Sequence, residues 1–487
     1  MRGDLKAFWN VGGGDVEYNN REAVAHGFRL VNILNTYSDY PGRQKENIDR
    51  ALKGNRTNPW KKPDYFERII RRNIAQATGP GDIMVHDVEF SFEENIDKAW
   101  EDAEARTASG AKTKEEFAKA YLREWATWLW LPCHWTKQDR PRLPVGLYGP
   151  QPFRRDYWGV AGKSAQQIDG THHSDADLWQ YIDPHVDFCI ASVYVFYDDP
   201  SSIYYIAANV EENYQRTRRY GNKPLYAYEW LRYHNSNQKL VGQELAPYLV
   251  EAMAVLPYFC GAKGVVLWGW EPKQRGQYYQ NLPAFMDSLG RVSDLSAKLA
   301  KAELVIDEPA HVLWKAKRPL VRKLKLSEVE WVVLAVNPWQ TDDAHSTVSV
   351  RCGARSVELP LVGRHTGVFV VQDGRVTKPC DSGVGVEQIK VLSTTASKPN
   401  RSIPLCVRMR SIRRSVGRSV SREAARWSRP GETQLSSRHR SPGRPSGSDR
   451  ASAPPLPGHP TRRSPFPRCG FAGPASSSSP VDSRRPS

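Results

Sequence analysis

The decisive stretch of this sequence is IMVHDVEF, residues 83–90, which follows the turn-forming Gly79-Pro80-Gly81. Its short, apolar and β-prone character is typical of a buried strand. Side chains two residues apart in a strand point to the same face, so Asp87 and Glu89 are predicted to lie side by side. A second carboxylate raises the pKa of its neighbour, which keeps one carboxyl protonated and able to act as an acid. The alternative interpretation is a strand end that enters solvent with two acidic residues.

Apolar runs alternate with helical segments along the first 300 residues. Strands are predicted at 6–11, 28–36, 83–90, 143–148, 188–196, 225–230 and 264–268, and helices at 63–77, 112–130, 177–182, 200–219 and 244–258. Buried strands that alternate with helices at this spacing indicate parallel β-α-β units. The sequence therefore predicts an α/β fold whose first domain, residues 1–300, is a (β/α)8-type (TIM) barrel.

Polar and aromatic residues gather at the predicted carboxyl ends of these strands. The set comprises Asn10, Asn35, Asp87, Glu89, Tyr148, Tyr194, Glu229 and Trp268. The active site of such barrels lies at the carboxyl face, so we expect the functional site there. Tyr228 and Glu229 close the strand at 225–230 and are included as substrate-binding candidates.

The sequence predicts neither a metal nor a cofactor. Gly12-Gly13-Gly14 lacks the GxGxxG and GK[ST] patterns of phosphate-binding loops. His86 and Asp87 point to opposite faces of a strand, so they do not readily bind one ion together. Seven cysteines occur without a CxxC pair or a tight framework, so their spacing supports neither a zinc ribbon nor a disulfide scaffold, and a single Cys352–Cys380 bridge is kept as an alternative.

The pattern changes after the barrel. Short alternating strands separated by turn residues predict a small antiparallel, sandwich-like β domain at 306–375 that supports the barrel. Residues 400–487 are rich in Arg, Ser and Pro, and they bury too little apolar surface to fold, so we expect a disordered tail.

The charge distribution argues against a nucleic-acid-binding domain. The chain carries a net charge of +16, but residues 401–487 have 18 Lys and Arg against 4 Asp and Glu, whereas residues 1–400 have 51 against 49. Nucleic-acid binding is therefore not expected of residues 1–400 and is kept as an alternative only for the basic tail. No apolar run of about 18 residues predicts a membrane span, and no signal peptide is recognised at Met1.

Several segments resemble the hyaluronidase family of glycoside hydrolases across residues 7–275. Residues 8–11 (FWNV) are similar to its first barrel strand, and residues 85–89 (VHDVE) to the strand with its Asp-x-Glu pair. Residues 146–148 (GLY) and 192–194 (SVY) resemble two later strands. The most specific similarity is residues 261–269 (GAKGVVLWG), which resemble a Gly-Ala-x-Gly-Val-Val-Leu-Trp-Gly stretch in the last strand.

The resemblance implies a hydrolase of polysaccharides or oligosaccharides that contain N-acetylated amino sugars. Glu89 would be the general acid/base, and Asp87 would hold the N-acetyl group while its carbonyl oxygen attacks the anomeric carbon. Tyr148 and Tyr194 would border that group, and Trp268 would form the floor of the subsite. We expect a monomer, and the resemblance favours a secreted or periplasmic protein.

Two alternatives remain open at the level of sequence. Glu89 and Glu229 would form an ordinary retaining pair if their carboxyl groups lay about 5 Å apart. A non-catalytic barrel would keep the aromatic floor and bind carbohydrate without cleaving it.

Overall fold

The computed structural model describes residues 5–13, 15–36, 58–62, 66–77, 79, 81–88, 96–152, 178–270 and 279–380. All of these belong to residues 1–400, the first of the two units into which the chain divides. Glu89 and the basic segment 400–487, which was predicted to be disordered, lie outside the described residues. None of the helices described here combines the length and apolar character needed to cross a lipid bilayer.

Within the described chain, seven parallel strands form a nearly closed barrel. They are β1 (Lys6–Gly12), β2 (Arg29–Asn35), β3 (Ile83–Asp87), β4 (Val145–Tyr148), β5 (Cys189–Ser192), β6 (Leu225–Glu229) and β7 (Gly264–Trp270), in the order β4-β3-β2-β1-β7-β6-β5. Asp187 joins the two edges: its backbone N–H donates to the Val145 carbonyl at 2.7 Å, and its carboxylate accepts the Val145 N–H at 3.0 Å. The predicted α/β barrel is confirmed.

Helices surround this sheet. They are α1 (Val16–Ala25), α2 (Phe66–Gln76), α3 (Ile96–Glu101), α4 (Ala103–Ser109), α5 (Lys114–Asp139), α6 (Ser201–Thr217), α7 (Pro247–Phe259), α8 (Leu282–Ser293), α9 (Ser296–Leu299) and α10 (Ala310–Lys315). A capping box begins α5: Thr113 Oγ1 accepts the Glu116 N–H at 3.2 Å, and the Glu116 carboxylate accepts the Thr113 N–H in return. This helix continues past Pro132, beyond its predicted end, because buried aromatic residues such as Trp135, which contacts Phe66 of α2, join the hydrophobic core.

The alternation of side chains along the strands separates the barrel interior from its outer wall. Tyr226 points inward, and its ring centroid lies 5.0 Å from those of Phe8 and Phe188. Gly146 leaves room for this layer, since a Cβ there would lie 2.3 Å from the Phe188 ring. Because strand side chains alternate with period two, Tyr228 shares the inward face of β6 with Tyr226, and Glu229 does not.

Antiparallel strands follow the barrel in the described chain. One sheet has the order β14-β13-β10-β9-β8, and a hairpin covers it; the strands are β8 (Glu303–Val305), β9 (Leu320–Lys325), β10 (Glu330–Val336), β11 (His345–Cys352), β12 (Arg355–Val362), β13 (Gly367–Gln372) and β14 (Arg375–Cys380). On β10, Trp331 and Val333 pack against the hairpin, whereas Val332 and Leu334 join the barrel core. Cys352 is a buried free thiol, so the conceivable Cys352–Cys380 disulfide is not formed.

Buried ion pairs connect the barrel helices to this β region. Arg322 on β9 donates from Nε to Glu211 on α6 at 2.5 Å, and both side chains are almost completely buried. Arg291 on α8 donates to Glu251 on α7 at 2.6 Å, and Glu251 also accepts the backbone N–H of Thr366 at 3.0 Å. Charges removed from water require partners of this kind.

Candidate active site

The carboxyl end of β3 carries the first candidate residue. β3 ends at the half-buried Asp87, which is in register with Asn35 on β2 and Tyr148 on β4. The Thr36 N–H donates to the Asp87 carbonyl at 3.2 Å, and the Val88 N–H donates to the Tyr148 carbonyl at 2.9 Å. These backbone bonds fix Asp87 between its neighbours. Glu89, the other predicted catalytic residue, lies outside the described residues.

Tyr228 connects four strands across the top of the barrel. It is fully buried, and its phenol oxygen accepts a hydrogen bond from Asn10 Nδ2 on β1. Its ring centroid lies 4.9 Å from that of Tyr148, whose hydroxyl is 3.0 Å from Ser192 Oγ on β5. The structure therefore brings together the predicted Tyr148 and Tyr228, with Asn10 and Ser192 as hydrogen-bonding partners.

The charge of Asp87 influences the protonation of Tyr228. Burial raises the pKa of Tyr228 well above its ordinary value, and Asp87 and Tyr148 raise it further, while the Asn10 hydrogen bond opposes the rise. Tyr228 therefore stays protonated at neutral pH. Because its oxygen accepts the Asn10 N–H, its own O–H hydrogen is available for donation. This tyrosine is a hydrogen-bond donor at the site and not a base.

Aromatic side chains extend the site away from Tyr148. Tyr194 lies 6.3 Å from Tyr148 and 5.5 Å from Trp268 between ring centroids. Trp230 stands at 79° to Trp268, with 5.0 Å between the centroids. Such faces beside a few polar groups suit a ligand with both apolar and hydrogen-bonding surfaces. Tyr194 and Trp268, two predicted substrate-binding residues, are thus adjacent.

Glu229 is not brought together with these residues. It follows Tyr228 on β6 and therefore faces the outside of the barrel, in register with the buried Leu267. Burial raises the pKa of Tyr258 on α7, and Glu229 adds to that rise, so the carboxyl lies towards α7. Burial also raises the pKa of Glu229 itself well above its ordinary value.

His86 lies behind the site on the outer face of β3. It is completely buried, with Nδ1 2.8 Å from Thr36 Oγ1 and Nε2 2.8 Å from Thr136 Oγ1. Burial lowers the pKa of His86 to about 3, so the imidazole is neutral. Since Thr36 also bonds to the Asp87 backbone, His86 supports the strand end that carries Asp87.

Two residues near the site, Trp230 and His234, are not indicated as site candidates by the sequence analysis. Trp230 lies two residues after Tyr228 and four after Tyr226, on the same inward face of the chain at β6. The two-residue period of the strand could therefore have identified Trp230 as a site residue. His234 lies in the loop after β6, with its ring centroid 4.6 Å from that of Phe196. A loop lacks the regular spacing that predicts side-chain positions in helices and strands. The sequence therefore gives no signal for the position of His234 or for its contact with Phe196.

No metal-binding arrangement is present in the part of the chain described here. No group of three or more His, Cys, Asp or Glu side chains converges on one point among those residues. The functional groups gathered at the barrel edge are a carboxylate, phenols, an amide and indoles. Acid–base chemistry and hydrogen bonding are what such groups provide directly.

Comparisons with known proteins give structural similarities only. No protein-family model and no curated protein matches the sequence. Bee venom hyaluronidase matches with a TM-score of 0.39 and 16% identity over 55% of this chain and 91% of the bee protein. A β-L-arabinopyranosidase from Geobacillus stearothermophilus matches with a TM-score of 0.36 and 10% identity, over 77% of this chain and 97% of that chain.

A third similar structure is α-L-fucosidase isoenzyme 2 from Paenibacillus thiaminolyticus. Its TM-score is 0.37, with 9% identity over 62% of this chain and 46% of that chain. Similarities at these scores identify neither a substrate nor a reaction, which must be argued from the site. The hyaluronidase family that the sequence motifs resemble is represented among the matching structures.

Proposed function

We propose that this protein is a glycoside hydrolase that cleaves polymers or oligosaccharides containing N-acetylated amino sugars. The observation that carries the proposal is the convergence of Asp87, Tyr148 and Tyr228 at the carboxyl edge of the barrel, beside Tyr194 and Trp268. A carboxylate next to protonated phenols and an aromatic floor is suited to a sugar, which has both hydroxyl groups and apolar C–H faces.

The mechanism we propose is acid/base catalysis with assistance from the substrate. Glu89, two residues beyond Asp87 in the chain, donates a proton to the leaving-group oxygen. The acetamide oxygen of the substrate attacks the anomeric carbon, so the enzyme needs no carboxylate nucleophile. Asp87 accepts the acetamide N–H and aligns the group for attack. The bond between the anomeric carbon and the leaving oxygen breaks as that oxygen takes the Glu89 proton and departs as an alcohol. Water then attacks the anomeric carbon of the cyclic intermediate, returns one proton to Glu89 and restores the acetamide.

The tyrosines have positioning roles in this proposal. Tyr228 remains protonated, so its O–H hydrogen is available to Asp87 or to the acetamide. Tyr148 is held by Ser192 and borders the same space. Trp268 contacts Tyr194 and provides a flat surface for the sugar ring. In this proposal the aromatic residues orient the bound sugar. The Asp87 carboxylate aligns the acetamide, and the Glu89 carboxyl group donates the proton.

A hydrolysis screen tests the proposal. The purified full-length protein is incubated with a panel of acetamido polymers, and new reducing ends are measured for the wild type and for Glu89→Gln and Asp87→Asn. We expect the wild type to cleave at least one polymer and Glu89→Gln to lose more than about 100-fold in kcat, since the amide keeps shape but has no acidic proton. Tight binding without cleavage would instead identify a carbohydrate-binding barrel, and full activity of Glu89→Gln would exclude Glu89 as the acid.

The position of Glu229 bears on the alternative retaining mechanism. A nucleophile must reach the anomeric carbon, but Glu229 faces α7 on the outer side of β6. Glu229→Gln is therefore expected to leave kcat within about threefold of the wild type, because its effect is confined to packing.

A further inference from the structure

The loop after β6 holds a histidine against the aromatic part of the site. The His234 ring centroid lies 6.0 Å from that of Tyr194, with 23° between the planes, and 4.6 Å from that of Phe196. The ring is partly buried. His234 is therefore beside the residues proposed to bind the sugar, although it takes no part in the proposed chemistry.

Two hydrogen bonds, one from the backbone and one from a side chain, fix this loop to the segment that follows β5. The His234 N–H donates to the Val195 carbonyl at 2.8 Å, and Asn237 Nδ2 donates to the Phe196 carbonyl at 2.7 Å. The Asn237 N–H also donates to the His234 carbonyl at 3.0 Å. A side chain on a loop fixed in this way is pre-organised and loses little conformational entropy when a ligand binds.

The hydrogen bonds of the imidazole determine its tautomer. The backbone N–H of Ser236 points to His234 Nδ1 at 3.2 Å, and Ser236 Oγ lies 2.8 Å from the same atom. A backbone N–H can only donate, so Nδ1 is the acceptor and the ring proton is on Nε2. Burial lowers the pKa of His234, which favours this neutral form. Among the described residues, none accepts a hydrogen bond from Nε2.

From this geometry we infer that the Nε2–H of His234 donates a hydrogen bond to an uncharged sugar residue bound beside Tyr194 and Phe196. The inference rests on the proposed function and specifies its substrate. A neutral imidazole can donate a hydrogen bond to a hydroxyl or an acetamide oxygen. It has no positive charge to offset the free-energy cost of removing a uronate carboxylate from water. His234 therefore favours an uncharged acetamido sugar over a uronic acid at this position.

Binding measurements on the full chain test this inference. The probes are tetra-N-acetylchitotetraose, which is uncharged, and a hyaluronan tetrasaccharide, which contains uronates; tryptophan fluorescence reports binding near Trp230 and Trp268. His234→Phe keeps an aromatic ring and removes the donor, and we expect it to weaken binding of the uncharged probe about fivefold to tenfold, as for one neutral hydrogen bond. His234→Gln, whose amide reaches the Nε2 position, should stay within about twofold of the wild type.

Controls separate this role from a structural one. Gln238→Ala changes an exposed residue of the same loop and should bind both probes as the wild type does. If His234→Phe does not fold, the pair His234→Gln and His234→Asn gives the same comparison, because the shorter Asn cannot place a donor at Nε2. Unchanged affinity in the donor-free variant, or tighter binding of the hyaluronan probe by the wild type, would overturn the inference.

The outcome also distinguishes the inference from the proposed function. If a polymer of the hydrolysis screen is cleaved but neither tetrasaccharide depends on His234, the inference alone fails. If no polymer is cleaved and neither tetrasaccharide binds, the proposed function fails with it.

Discussion

Acidification is expected to destabilise the protein through His86, the residue that precedes Asp87 on β3. Burial lowers the pKa of this histidine to about 3, whereas an exposed histidine in the unfolded chain has a pKa of about 6.5. Between these values the unfolded state binds the proton and the folded state does not. The His86 contribution to stability is therefore complete above about pH 6.5 and is lost as the pH falls towards 3.

The size of the effect follows from the two pKa values. One pKa unit corresponds to about 1.4 kcal/mol, so acidification from pH 7 to pH 5 should lower the free energy of unfolding by about 2 kcal/mol through this residue alone. Unfolding also releases the Thr36–His86–Thr136 hydrogen bonds, which hold the β3 end on which Asp87 lies. Loss of activity at low pH is then expected to accompany loss of stability.

Denaturant unfolding at pH 7 and pH 5 measures this contribution in the wild type, His86→Gln and His86→Asn. The wild type should lose about 2 kcal/mol more than either variant on acidification, since the amides do not titrate. Burial also lowers the pKa values of His185 and His234, but these residues are common to all three proteins and cancel in the comparison. An identical loss in wild type and variants would refute the reasoning.

Three further predictions concern the site and its support. Tyr228→Phe keeps the ring contact with Tyr148 but leaves Asn10 without its acceptor, so the free energy of unfolding should fall by about 1–3 kcal/mol in a denaturant titration. Glu211→Gln leaves the Arg322 charge buried and uncompensated, which should cost about 3–5 kcal/mol, and the double variant Glu211→Met, Arg322→Met should recover most of this loss. The Glu251 hydrogen bond raises the pKa of His365, so this pair stabilises below about pH 6.5, and that stability is lost as the pH rises through the raised value. The difference in melting temperature between wild type and His365→Gln should accordingly be larger at pH 6 than at pH 8.5, and a difference independent of pH would contradict this assignment.

The barrel was predictable because each strand carries its own signal. Strand-like runs such as residues 264–268 are rich in apolar and β-branched residues. Segments with the apolar spacing of a helix lie between these runs. The same local signals predicted β3, and the start of α5 is set by an equally local pattern, Thr113 with Glu116 three residues later. Strands and helix caps are determined by residues that are close together in the chain, so they can be predicted from the sequence alone.

Features that depend on distant partners were not predictable in this way. The burial of Arg322 on β9 (LVRKLK) could not be predicted, because the cations of this strand suggest an exposed segment and its partner Glu211 is more than a hundred residues away in the chain. Glu229 and Tyr228 were both selected as substrate-binding residues, although adjacent strand residues face opposite sides. Applying the period of β6 would have selected Trp230 in place of Glu229. The ring proton of His234 is fixed by a loop hydrogen bond for which no residue pattern exists.

The central claim is that Asp87 acts on the acetamide group of the substrate. It is tested most directly by the initial rate at which wild type and Asp87→Asn cleave the fastest polymer of the screen, before and after chemical removal of its acetyl groups. The account predicts that wild type cleaves the acetylated polymer at least about 100-fold faster than the deacetylated one, and that Asp87→Asn loses most of this preference. Equal wild-type rates on the two polymers would contradict it.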